Sequence, residues 1–221
     1  MDDGLLVRVG AGPAPSDAPS GKRAAIVRAA TALFLQHGYQ GTRTEQIAAA
    51  AAVSKQTVYT QFGDKERLFR EIVLGTTATA EAFTAHLVEA FADVSGPDDV
   101  APVLRAVARR YLAAVLNPQV LALRRLVIGE ASRFPDLAAT YHREVPARVL
   151  AALAERFGEL GALLRIDDPA RAADDFAFLV LGRSLDDGMF HVEAPVVDVD
   201  ATADHAVDVF LAAHPRRLRR R

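Results

Sequence analysis

From residue 22 onward, apolar residues recur at intervals of three and four, the spacing of a helix with one buried face. Ile26, Ala30, Leu33 and Phe34 share one face of a first helix. Gly38 ends it, because a left-handed terminal residue costs glycine little. Thr42 and Glu45 have the spacing of a capping box, and a short helix follows with Ile47, Ala48 and Ala51 inward. Residues 52–54 break it. Ser54 caps a third short helix over 55–61. After the turn at 62–64, Leu68, Phe69 and Ile72 open a long helix that the pattern carries to about residue 94. Further helices are predicted over 98–116, from Pro118 to about 131, over 136–160 with a kink at Pro146, over 170–190, and from an Asp200 cap to about 213. Residues 192–199 alternate weakly around Pro195 and read as a loop. The predicted fold class is all-α, with no repeat at a 20–50 residue period.

Composition adds limits. Residues 1–21 hold Pro13, Pro15, Pro19 and four glycines and read as a flexible arm. The longest stretch free of Asp, Glu, Lys and Arg is 14 residues, 29–42, against about 20 for a membrane span. The first residues lack the basic and apolar regions of a signal peptide. The expected location is cytoplasmic and nucleoid-associated, with no membrane partner. There is no cysteine, so thiolate metal sites, thiol nucleophiles and disulfides are excluded. Ser132, Ser184, His142 and His191 show no triad spacing. His86 and Glu89 lie at i, i+3 without a second such pair, so neither an enzyme nor a metal or cofactor site is expected.

The net charge of −2 is unevenly distributed. Residues 21–75 carry net +4, residues 76–215 carry −9, and 216–221 add five arginines. This suits a basic module for a polyanion beside an acidic body, although charge alone does not decide the matter. The two short helices of residues 42–61 have the dimensions of a helix-turn-helix. A major groove about 12 Å wide admits one helix, whose first turn meets base edges. That turn holds Lys55, Gln56 and Thr57, which can pair with guanine, adenine or the thymine methyl. Tyr59 is placed to reach a phosphate, while Val58 and Phe62 face inward. The pattern alone fits an ordinary short surface helix equally well.

Residues 22–72 resemble the DNA-binding domain of TetR-type transcriptional regulators. The resemblance rests on Leu33-Phe34, Gly38-Tyr39, Thr42, Ile47-Ala48, Val53-Ser54, Val58-Tyr59, Phe62, Lys65 and Leu68. One departure is Ala52, where the family usually has glycine in the turn. The resemblance implies a helix-turn-helix domain (22–72), a helical ligand-binding and dimerisation domain (73–215) and an Arg-rich tail (216–221). It implies DNA contacts from Arg43, Thr44, Lys55, Gln56, Thr57, Tyr59, Thr60, Gln61 and Lys65. Residues 123–153 look like one C-terminal subtype of the family.

The implied function is a homodimeric repressor released from an inverted-repeat operator in double-stranded DNA by a small apolar effector. A ligand-independent regulator or an activator of the same fold is the alternative, and a helical enzyme or metal-binding protein the remote one. Candidate pocket residues are Phe83, Leu87, Tyr111, Val115, Leu126, Tyr141, His142, Phe178 and Met189. Ala173, Phe176, Ala177, Val180 and Leu181 form a small-plus-large stripe offered as the dimer interface, with packing inside the chain as its alternative.

Overall fold

The computed structural model describes residues 21–92, 94–191 and 196–217. Residues 1–20 of the predicted arm (1–21), residues 192–195 of the predicted 192–199 loop and the final residues 218–221 lie outside the described residues, and Gly21 of that arm begins the first helix. Eleven helices follow in order among the described residues: α1 (Gly21–Gly41), α2 (Thr44–Ala50), α3 (Lys55–Phe62), α4 (Lys65–Leu74), α5 (Thr77–Ala92), α6 (Pro97–Val115), α7 (Pro118–Gly129), α8 (Pro135–Glu144), α9 (Pro146–Leu160), α10 (Pro169–Phe190) and α11 (Val199–Ala213). They form two compact units, Met1–Glu81 with Leu123–Val145, and Ala82–Ala122 with Pro146–Arg221.

In the first unit, Ile26, Phe34, Ile47, Val58, Leu68, Phe69 and Ile72 are buried in one core, which Leu123, Val127, Phe134, Leu137 and Tyr141 complete. Four rings meet there. The Phe69 centroid lies 5.3 Å from Phe34, 5.0 Å from Tyr39 and 5.5 Å from Phe134, and Phe134 sits edge-on to Tyr39 at 4.8 Å. The first unit is therefore not built from the N-terminal residues alone, since α8 and most of α7 belong to it. Arg70 on α4 fixes this arrangement by a two-pronged bond to Asp136 on α8, at 2.7 and 3.2 Å.

Several element boundaries differ from the sequence reading. Gly38 breaks the regular α1 geometry with φ 72° and ψ 172°. This is an extended, positive-φ conformation rather than the left-handed helical cap expected. Thr42 does not cap α2. It is fully buried, and its hydroxyl faces the carbonyls of Gly38 (2.8 Å) and Leu33 (3.1 Å) that the break leaves available. The N-cap is Arg43, whose backbone N–H donates to Gln46 Oε1 at 2.8 Å. The long fourth helix is two. At the break, the Thr76 and Thr77 hydroxyls donate to the Val73 and Leu74 carbonyls, and Gly75, a poor helix former, stands beside them. Pro146 separates α8 from α9 instead of kinking one helix. Asp198, not Asp200, caps α11, accepting from Ala201 N.

The second unit is a bundle of α6, α9, α10 and α11. Phe157, Phe176 and Phe210 are buried at its centre with centroids 5.0–5.4 Å apart. Arg105 and Arg109 on α6 tie to Asp200, Asp204 and Asp208 on α11, a turn-by-turn ladder along the two helices. The first residues of the predicted tail are part of this unit. Arg217 N donates to Leu163 O at 2.8 Å, and Arg216 pairs with Asp98 at 2.8 Å.

Candidate nucleic-acid interface

Helices α2 and α3 are joined by a turn that depends on one unusual residue. Ala52 has φ 53°, the left-handed conformation that the family's glycine would adopt at little cost. Ser54 then opens α3, its hydroxyl accepting from Thr57 N at 3.1 Å and bonding the Thr57 hydroxyl at 2.8 Å. Val58 and Phe62 are buried in the core, and this fixes which face of α3 points outward. On the outward side Lys55, Gln56, Tyr59, Thr60 and Gln61 are exposed, and Thr57 is half-buried. Arg43, exposed, and Thr44, half-buried, stand at the start of α2. The structure thus presents the predicted first-turn residues of α3 on one polar surface.

Lys65 is placed differently. It begins α4, but its ammonium donates to the carbonyls of Tyr39 (2.9 Å) and Thr42 (2.8 Å) and lies 4.2 Å from the Tyr39 ring centroid. This amine ties the α1–α2 connection to α4. Arg23 has a similar internal use, gripping Glu71 with two bonds of 2.7 and 2.6 Å while its guanidinium covers the Phe62 ring at 4.4 Å. Both cations brace the frame that carries α3.

Sequence reading missed Glu45 at this surface. Its carboxylate lies 2.6 Å from the Lys55 ammonium. The hydrogen bond from Lys55 holds the carboxyl below its ordinary range, and the same contact pushes the Lys55 ammonium upward. The i, i+10 spacing carried no signal, because the contact depends on the turn between two helices.

The pocket candidates are divided between the two units. Phe83 and Tyr111 stack at 5.1 Å in the second unit, where Leu87 is also buried and Val115 and Met189 are half-buried. Tyr141 is buried in the first unit's core, and Leu126 packs against that core. His142 is exposed on α8, and Phe178 is 77% exposed. The stripe offered as a dimer interface is turned inward. Ala173, Phe176, Ala177, Val180 and Leu181 are all buried within the second unit, on the face where Phe176 meets Phe157 and Phe210. The large apolar residues that α10 leaves exposed are Phe178, Leu179 and Phe190.

The pattern of the tetR family of bacterial regulatory proteins matches residues 26–72, and that of the AefR-like transcriptional repressor C-terminal domain matches residues 102–215. The chain is 40% identical over 55 residues to the HTH-type transcriptional repressor SCO4008 of Streptomyces coelicolor, covering 25% of this chain and 29% of that protein. It is 32% identical over 136 residues to the HTH-type transcriptional regulator TcmR of Streptomyces glaucescens, covering 60% and 59%. The matched stretches thus span less than two thirds of these curated relatives. A Mesorhizobium loti crystal structure, described as a TetR-family transcriptional regulator, superposes with a TM-score of 0.80 at 32% identity, covering 90% of this chain and 99% of that one. A helix-turn-helix on a braced helical frame, with a second matched domain over half of its length, makes this chain a member of the TetR family of transcriptional regulators, proteins that regulate transcription rather than catalyse reactions.

Proposed function

We propose that the chain is a sequence-specific DNA-binding repressor that acts as a homodimer on an inverted-repeat operator and is released by a small apolar effector. The observation that carries this reading is the polar outward face of α3 over the two buried side chains Val58 and Phe62. A groove-reading helix needs exposed donors and acceptors, and it needs a fixed orientation, since misplacement of the helix loses the base edges. Gln56 and Lys55 would read bases from the first turn. Arg43, Thr44, Tyr59, Thr60 and Gln61 would touch phosphates or base edges, and Lys65 would hold the frame.

Two subunits place two α3 helices on successive major-groove faces, so half-sites should lie about one helical turn apart or a multiple of that. The outward Phe178, Leu179 and Phe190 of α10, with the half-exposed Val209 of α11, supply apolar surface for the second copy. An effector would enter the second unit beside the stacked Phe83 and Tyr111. Release would then be a population shift: α5 and α7 each contain residues of both units, so a rearranged second unit pulls on the chain leading to α4.

The test is operator affinity, measured on a duplex selected by the protein, for wild type and for a Gln56→Ala, Tyr59→Ala variant. Loss of specific binding with retained helicity and retained dimer mass is expected. Unchanged specific binding would overturn the assignment of α3. An apolar compound that binds the protein without altering operator affinity would overturn release while leaving DNA reading intact.

A further inference from the structure

Within the basic stretch of residues 21–75, Glu45 stands where it ought to be harmful. It is exposed on the same surface as Lys55, Gln56 and Tyr59, and a carboxylate at a DNA-facing surface repels every phosphate. It nevertheless has a defined contact. Its Oε1 lies 2.6 Å from Lys55 Nζ, which also stands 5.6 Å from the centre of the Tyr59 ring. The first-turn lysine of α3 is therefore already occupied before any duplex arrives.

Two kinds of partner can draw Lys55 away, and they differ chemically. A phosphate satisfies the ammonium but leaves the carboxylate facing an anion. A G·C pair in the major groove offers guanine O6 and N7 to the lysine and the cytosine N4 amino group as a donor to the carboxylate. Only the second satisfies both charges. We propose that Glu45 is a specificity-determining residue that positions Lys55, withholding its ammonium from the DNA backbone and, with it, reading a G·C pair. This rests on the proposal that α3 enters the groove.

The experiment uses the full chain and a duplex of arbitrary sequence, with affinity followed across salt. Each additional neutralised phosphate steepens the log–log salt slope by about 0.9. Glu45→Gln should therefore steepen the slope by about 0.9, so that raising salt from about 50 to about 200 mM costs it about 3.5-fold more affinity than wild type. In a Lys55→Met background the same substitution should not change the slope, and Glu45→Asp should restore most of the wild-type value. In a random-pool selection, Glu45→Gln should lose preference for a G·C pair at one position per half-site. Circular dichroism confirms that each variant keeps its helices. An unchanged slope in Glu45→Gln, or an equal steepening in the Lys55→Met background, would overturn the inference while wild-type binding still supports DNA reading. Absence of duplex binding by the wild type at low salt would remove both.

Discussion

At Gly38 the backbone has φ 72° and ψ 172°, a region that essentially only glycine occupies, and no atom stands in the way of a Cβ. Substitution there costs conformational strain alone. Gly38→Ala should destabilise the first unit by roughly 1–3 kcal/mol. Ala52 is the opposite case, a side chain held at φ 53°, and Ala52→Gly should stabilise by about 1 kcal/mol. Urea unfolding of the two variants checks both signs, and a shift in the same direction for both would refute the strain argument. Ser54 and the inward Val58 and Phe62 were readable in the sequence because each depends on residues a turn away; at Gly38 the break was readable but its extended backbone was not. Lys65, Arg23 and Glu45 were not. Their partners (the Tyr39 carbonyl, Glu71 and Lys55) lie 10 to 48 positions distant and come within reach only after the helices pack. A cation in a DNA-binding sequence reads as a phosphate contact until packing shows what it holds.

Helix α4 meets α8 through Arg70, whose guanidinium binds Asp136 and Glu66. That bond holds the Asp136 carboxyl below its ordinary value of 3.8, and Asp136 with Glu66 pushes the Arg70 guanidinium upward. A depressed carboxylate contributes stability that is complete above the unfolded pKa and is lost as pH falls through the folded one. Asp136→Asn should therefore lower the melting temperature at neutral pH, and the gap from wild type should close in acid, below the ordinary carboxylate range. A gap that persists there would point to packing rather than charge. Phe134 gives a second check on the same pair of elements. It is buried among Tyr39 and Phe69, and Phe134→Ala should cost roughly 3–5 kcal/mol, read as faster amide exchange in α1 and α4. Unaltered exchange there would mean that α8 does not support the helix-turn-helix. Helical periodicity found the helical segments, but it ran α4 and α5 together and read α8 and α9 as one kinked helix. A continuous apolar face survives a break whose cause is two threonine hydroxyls and a glycine. It also could not tell which face of α10 is interior, since both carry large apolar residues.

Across the chain the basic charge gathers in residues 21–75, and acids predominate in residues 76–215. The compact units do not follow that division, because Leu123–Val145 returns to the first of them. The family was legible from about 50 residues with fixed spacing, whereas this return depends on contacts between segments far apart in sequence. The central claim is that α3 reads duplex DNA and does so as a symmetric pair. The most direct measurement is selection of bound duplexes from a random pool at fixed, near-physiological salt, since non-specific affinity varies steeply with salt. The account predicts enrichment of an inverted repeat with half-site centres about one helical turn apart, or a multiple of that. A pool that stays unenriched, with only salt-sensitive background binding, would contradict it.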